Sequence, residues 1–84
     1  MNINPEEKGK CIIRLGRFSF ANLTQITTIS TRFDVYPTAT KPHEAHVHFS
    51  SEHWKEFYYD NKDDTIKDAE LLRDMLSQCM NKNI

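Results

Sequence analysis

The chain has 84 residues, 38% of them hydrophobic and 27% charged, with a formal net charge of −1. A chain this short buries about 60% of its unfolded surface, which allows one thin core and excludes a cleft between two large domains. No stretch approaches the run of about 18 apolar residues that a membrane helix needs, and the near-neutral charge removes the electrostatic basis for strong non-specific nucleic-acid binding.

Residues 1–9 are polar and contain Pro5 and Gly9, so they read as a flexible tail ahead of one α+β domain over residues 10–82. Glu6 and Glu7 fit neither a signal nor a transit peptide, and a cytoplasmic protein is expected. From Lys10 to Phe20 the apolar residues alternate. Cys11, Ile13 and Leu15 share one parity, Phe18 and Phe20 the other, and a bulge at Gly16 would bring all five to one face. Residues 21–25 form a turn around Asn22.

The second strand runs from Thr27 to Tyr36, with Thr27, Ile29, Thr31, Phe33 and Val35 on one face. Pro37 ends it, and residues 37–42 form a loop. The third strand, Glu44–Ser50, points Ala45, Val47 and Phe49 inward. The loop suggests a register in which Val35 opposes Ala45 and Phe33 opposes Val47. That register sets Asp34 beside His46 and Arg32 beside His48 on the outer face.

After Phe49 the period changes. Trp54, Phe57 and Tyr58 fall at i, i+3 and i+4, the spacing of a short helix over residues 52–60, with a fourth strand over 53–59 as the competing reading. A longer helix starts at Asp63 or Asp64 and runs to Asn81. Its stripe is Ile66, Ala69, Leu72, Leu76, Cys79 and Met80, widened by Leu71 and Met75. The expected fold is therefore a three-stranded antiparallel sheet followed by a short and a longer helix packed on one face.

Cys11 and Cys79 read as buried thiols of a reducing compartment. A bridge between them requires the last helix to pack on the first strand at a short Cα separation. The cluster His43, Glu44, His46, His48 and His53 holds the parts of a metal site. His46 and His48 project from one strand face with Glu44, but the plainer reading is a polar sheet surface with no cofactor. The chain has only two glycines and neither a phosphate loop nor a nucleophile elbow, so a non-enzymatic protein without a small-molecule substrate is expected.

Two surfaces remain. Trp54, Phe57, Tyr58 and Tyr59 exceed what one face of a short helix can bury, and aromatic side chains dominate protein interfaces, which leaves Trp54, Tyr58 and Tyr59 for a partner. With Glu56, Asp63, Asp64 and Asp68 they form the expected docking surface for a larger protein or protein–nucleic-acid complex; self-association is its other use. Residues 52–74 carry eight acids against four bases, a net of −4, which suits a basic partner. Residues 1–33 carry five bases against two acids, a net of +3. Arg14, Arg17 and Arg32 are the residues a single-stranded nucleic acid would use in the alternative reading. In length, charge and layout the chain resembles small proteins carried by phages and mobile elements, anti-CRISPR inhibitors among them. That resemblance implies a protein that binds and modulates a larger machine.

Overall fold

The computed structural model describes residues 1–17 and 19–82. Its strands are β1 (Ile12–Arg14), β2 (Phe20–Asn22), β3 (Ile26–Arg32), β4 (His43–Phe49) and β5 (Trp54–Tyr59), followed by one helix, α1 (Lys62–Lys82). Short 3-10 turns occupy Pro5–Glu7 and Leu23–Gln25. β3, β4 and β5 form an antiparallel sheet with β4 in the centre, while β1 and β2 pair as a separate hairpin. The fold is a small α+β arrangement of a three-stranded sheet and one C-terminal helix.

The long first strand expected from Lys10 to Phe20 is instead a hairpin. Gly16 lies in its turn with φ +86°, a left-handed conformation that glycine adopts without a Cβ penalty. A Cβ there would stand 3.4 Å from the Phe57 ring. The reversal sends Ile13, Leu15, Ala21 and Leu23 inward and leaves Phe20 66% exposed, outside the core expected for it. Phe18 lies outside the described residues. Asn22 caps the following turn, its side chain accepting from the Thr24 amide.

β3 keeps the expected side-chain parity from Thr28 onward, but each β4 residue pairs four residues earlier on β3 than expected. Thr31 opposes Ala45 and Ile29 opposes Val47, with a bulge at Thr27. The bulge turns Ile26 inward alongside Ile29, in place of Thr27. The strand stops at Arg32 because Asp34 adopts φ +55° and its amide donates to His43 Nδ1 at 3.1 Å. Phe33 and Val35 are thereby taken out of the sheet. Phe33 meets the His43 ring edge-on at 5.8 Å, and Asp34 pairs with Lys62 rather than His46.

Residues 54–59 form a strand, not the short helix. Glu52 at φ +68° closes a tight turn, and the Phe49 amide donates to the His53 carbonyl, folding the segment back onto β4. Aromatic residues favour such a pleated surface. Alternation then separates Trp54, Glu56 and Tyr58 from Lys55, Phe57 and Tyr59. Lys55 at an inward position hid that alternation; its ammonium reaches the Ser19 hydroxyl.

α1 covers the inner face of the sheet. Its first turn is capped by Asn61, whose side chain accepts from the Asp63 amide at 2.7 Å, so the cap precedes the expected aspartates. Leu72, Met75 and Cys79 share one core with Ala45, Val47, Ile13 and Leu15, and Thr65 and Ala69 are buried too, whereas Ile66 and Met80 face outward. Cys11 and Cys79 form a disulfide with a Cα separation of 5.1 Å, replacing the two thiols expected. Within residues 1–9, Met1 is buried, and its amino group donates to the Tyr59 hydroxyl at 2.9 Å and meets Asp68 at 3.0 Å.

Candidate functional site

Because α1 covers one face of the sheet, the other face is left open, and the register determines its pattern. Three rows cross the strands: Arg32, Glu44 and Tyr58; Ser30, His46 and Glu56; Thr28, His48 and Trp54. Alternation on β4 gives the reason. Ala45 and Val47 turn to the core, so Glu44, His46 and His48 turn away from it.

The β5 side of this face is aromatic and acidic. Trp54 is 57% exposed and Tyr58 45% exposed, with Glu56 between them. Glu56 Oε1 accepts from Trp54 Nε1 at 3.2 Å, and Oε2 accepts from the Tyr58 hydroxyl at 2.7 Å. Those two hydrogen bonds, Tyr58 first, hold the Glu56 carboxyl below the usual carboxylate range. The same contact pushes Tyr58 up to about 12. The Trp54 ring stacks near His48 at 6.3 Å, and Tyr36 tilts against Tyr58 at 6.4 Å.

At the centre, Glu44 is almost wholly buried and His46 Nε2 lies 2.6 Å from its Oε2. A hydrogen bond to Glu44, together with that residue's charge, raises Tyr36 above the ordinary phenol value. Glu44, His46 and Glu56 each offer a ligand-type atom within 4.8 Å of the others. His48 shares the face but stands apart from this group, its ring 6.2 Å from that of His46. The helical spacing of residues 52–60 conceals Glu56 from this cluster, because only a strand brings it across from His46. The alternation of Trp54, Glu56 and Tyr58 was the signal that could have revealed it.

The remaining residues of the expected docking surface lie elsewhere. Tyr59 points to the helix side and donates to Asp68 Oδ2 at 2.7 Å, an interior tie. Burial, then the bond to Asp68, raises its phenol. Asp63 and Asp64 are exposed on the first turn of α1, which covers the opposite face. The aromatic and acidic groups therefore form two surfaces, with Trp54, Glu56 and Tyr58 on one and Asp63, Asp64 and Asp68 on the other.

The arginines are divided as well. Arg14 is on β1 with its guanidinium 5.7 Å from the Phe20 ring centroid, and Arg17 is in the hairpin turn. Arg32 ends β3, paired across the sheet with Glu44. Among these three, only Arg32 belongs to the three-stranded sheet. Comparison with protein-family models, curated proteins and solved structures finds no match to this chain.

Proposed function

We propose that the chain is a non-enzymatic docking module that binds a basic surface of a larger protein through the open face of its sheet. One observation carries the reading: Trp54, Glu56 and Tyr58 stand in a row on an edge strand, both aromatic rings exposed and the carboxylate held between them. A lysine or arginine side chain laid on such a row gains an ion pair with Glu56 and a cation–π contact with the indole or phenol. Edge position adds access, because among the described residues one side of β5 has no strand partner.

A protein partner is favoured over a nucleic acid on charge. Glu44 and Glu56 lie on this face with Arg32 at its margin, which gives phosphates little to pair with. Modulation of the partner follows from occupying its basic surface, as in the small mobile-element proteins the layout resembles. For the setting of the protein, no helix among the described residues is long and apolar enough to cross a membrane. The expected cytoplasmic location has a direct check in the disulfide. Thiol labelling of protein taken from its native source should find Cys11 and Cys79 reduced in the cytoplasm and paired in an oxidising compartment.

Trp54 is the only tryptophan in the chain, so its fluorescence reports this face alone. Titration with an arginine-rich peptide should change that emission saturably, while an acidic peptide and a single-stranded oligonucleotide should not. Glu56→Gln and Tyr58→Ala should each weaken the response several-fold without altering the thermal midpoint by more than a few degrees. A response in both variants equal to that of the wild type, or one produced only by the oligonucleotide, overturns the reading.

A further inference from the structure

The centre of the open face contains a group of side chains that docking at its β5 edge leaves unexplained. Glu44 is only 2% exposed, yet it is a carboxylate on the uncovered side of the sheet. A charge withdrawn from water this far needs compensation close by. Its direct contact is His46 Nε2 at 2.6 Å, and the next carboxylate, Glu56, faces His46 across the strands. Two carboxylates and one imidazole therefore converge within 4.8 Å, with the side chain of His46 itself only 14% exposed.

We propose that Glu44, His46 and Glu56 form a binding site for a divalent transition metal, with zinc the best fit to one nitrogen and two oxygen donors. The donor types match those zinc takes from protein, at roughly 2.0–2.2 Å each. The ion takes the place of the proton between His46 Nε2 and Glu44, and its charge offsets that of the two carboxylates. Three donors at such distances from one ion lie a little over 3 Å apart, so the 2.6 Å contact between Glu44 and His46 opens slightly and the exposed Glu56 side chain rotates toward them.

The surroundings are those of a ligand set rather than of a solvated patch. Tyr58 and Trp54 hold both oxygens of Glu56. Outer hydrogen bonds of this kind orient carboxylate ligands. Backbone pairing holds the frame: Glu44 and His46 share one face of the central strand, and Glu56 is the cross-strand neighbour of His46. Three protein ligands leave a fourth position of a tetrahedral site open toward solvent.

The site also makes a statement about docking. A bound dication shares the charge of Glu56, so metal and a basic partner compete for that residue. The metal site stands even if the docking reading fails, because its readout is the metal itself.

The test is calorimetric titration of the chelator-treated protein with zinc chloride, repeated with cobalt chloride to read coordination from visible absorption. One equivalent of metal should bind, and cobalt should give the intense bands of a four-coordinate site. His46→Ala and Glu56→Gln should each weaken zinc binding tenfold or more, while His48→Ala and His53→Ala leave it unchanged. Glu56 is exposed, so its variant is expected to fold, and circular dichroism confirms this for each protein. Absence of stoichiometric binding overturns the proposal, as does binding that survives in His46→Ala and Glu56→Gln or is lost equally in His48→Ala.

Discussion

Tyr59 ties three separate parts of the chain together through one hydroxyl. It donates to Asp68 on α1 and accepts from the Met1 amino group, while its ring packs against the core. Burial and the bond to Asp68 keep its proton on beyond the ordinary phenol value of about 10. Above that pH the unfolded chain releases a proton that the folded chain retains, so folding stability falls as pH rises. Urea unfolding between pH 8 and 11 should show this loss in the wild type, with a shallower fall above about pH 10 in Tyr59→Phe. Near neutrality the same variant should cost about 2 kcal/mol, the worth of a hydrogen bond to a charged group. Equal slopes in the two proteins above pH 10 would remove Tyr59 from the alkaline transition.

At the scale of elements, the hairpin turn depends on one residue, Gly16. Gly16→Ala places a Cβ in a left-handed conformation and within 3.4 Å of Phe57, and should destabilise the protein by about 1–2 kcal/mol in a thermal or urea melt. A neutral result would mean that the turn is built otherwise. The same glycine shows how far the sequence could be read. Its special conformation was evident from a change of parity, but a bulge and a reversal make the same local demand. Long-range pairing decided between them. β4 and α1 were legible because Ala45 and Val47, and Ala69, Leu72 and Cys79, each repeat with one period and share a single buried side. β5 was not, since Trp54, Phe57 and Tyr58 satisfy a helical spacing equally well and only pairing with β4 excludes it. The register between β3 and β4 slipped by four because alternation fixes parity, not position. The candidate site followed these elements. Trp54, Tyr58 and Tyr59 stand out in the sequence as surplus aromatics, but Tyr59 turns to the helix side and only the other two reach the open face. The approach of Glu56 to His46 depends on a strand pairing that no local pattern announces.

For the molecule as a whole, the Cys11–Cys79 bridge joins residues 68 apart and fastens the segment leading into β1 to the last turns of α1. Closing so long a loop restricts the unfolded chain, and on the chain-entropy view is worth about 4 kcal/mol. The double variant Cys11→Ser with Cys79→Ser should lose stability of that order in urea. Adding reductant should reproduce the loss in the wild type and leave the variant unchanged. A domain whose core rests on a few residues such as Leu15, Leu23, Leu72 and Met75 has little margin for such a loss.

The long connection between β3 and β4 has a consequence of its own. Residues 36–41 are all exposed, and they separate the chain into a part holding Cys11 and a part holding Cys79. A protease that nicks this connection leaves two fragments still covalently joined, one bearing the hairpin and β3, the other β4, β5 and α1. Such a nicked species would migrate as one molecule on a gel until a reducing agent parted it in two.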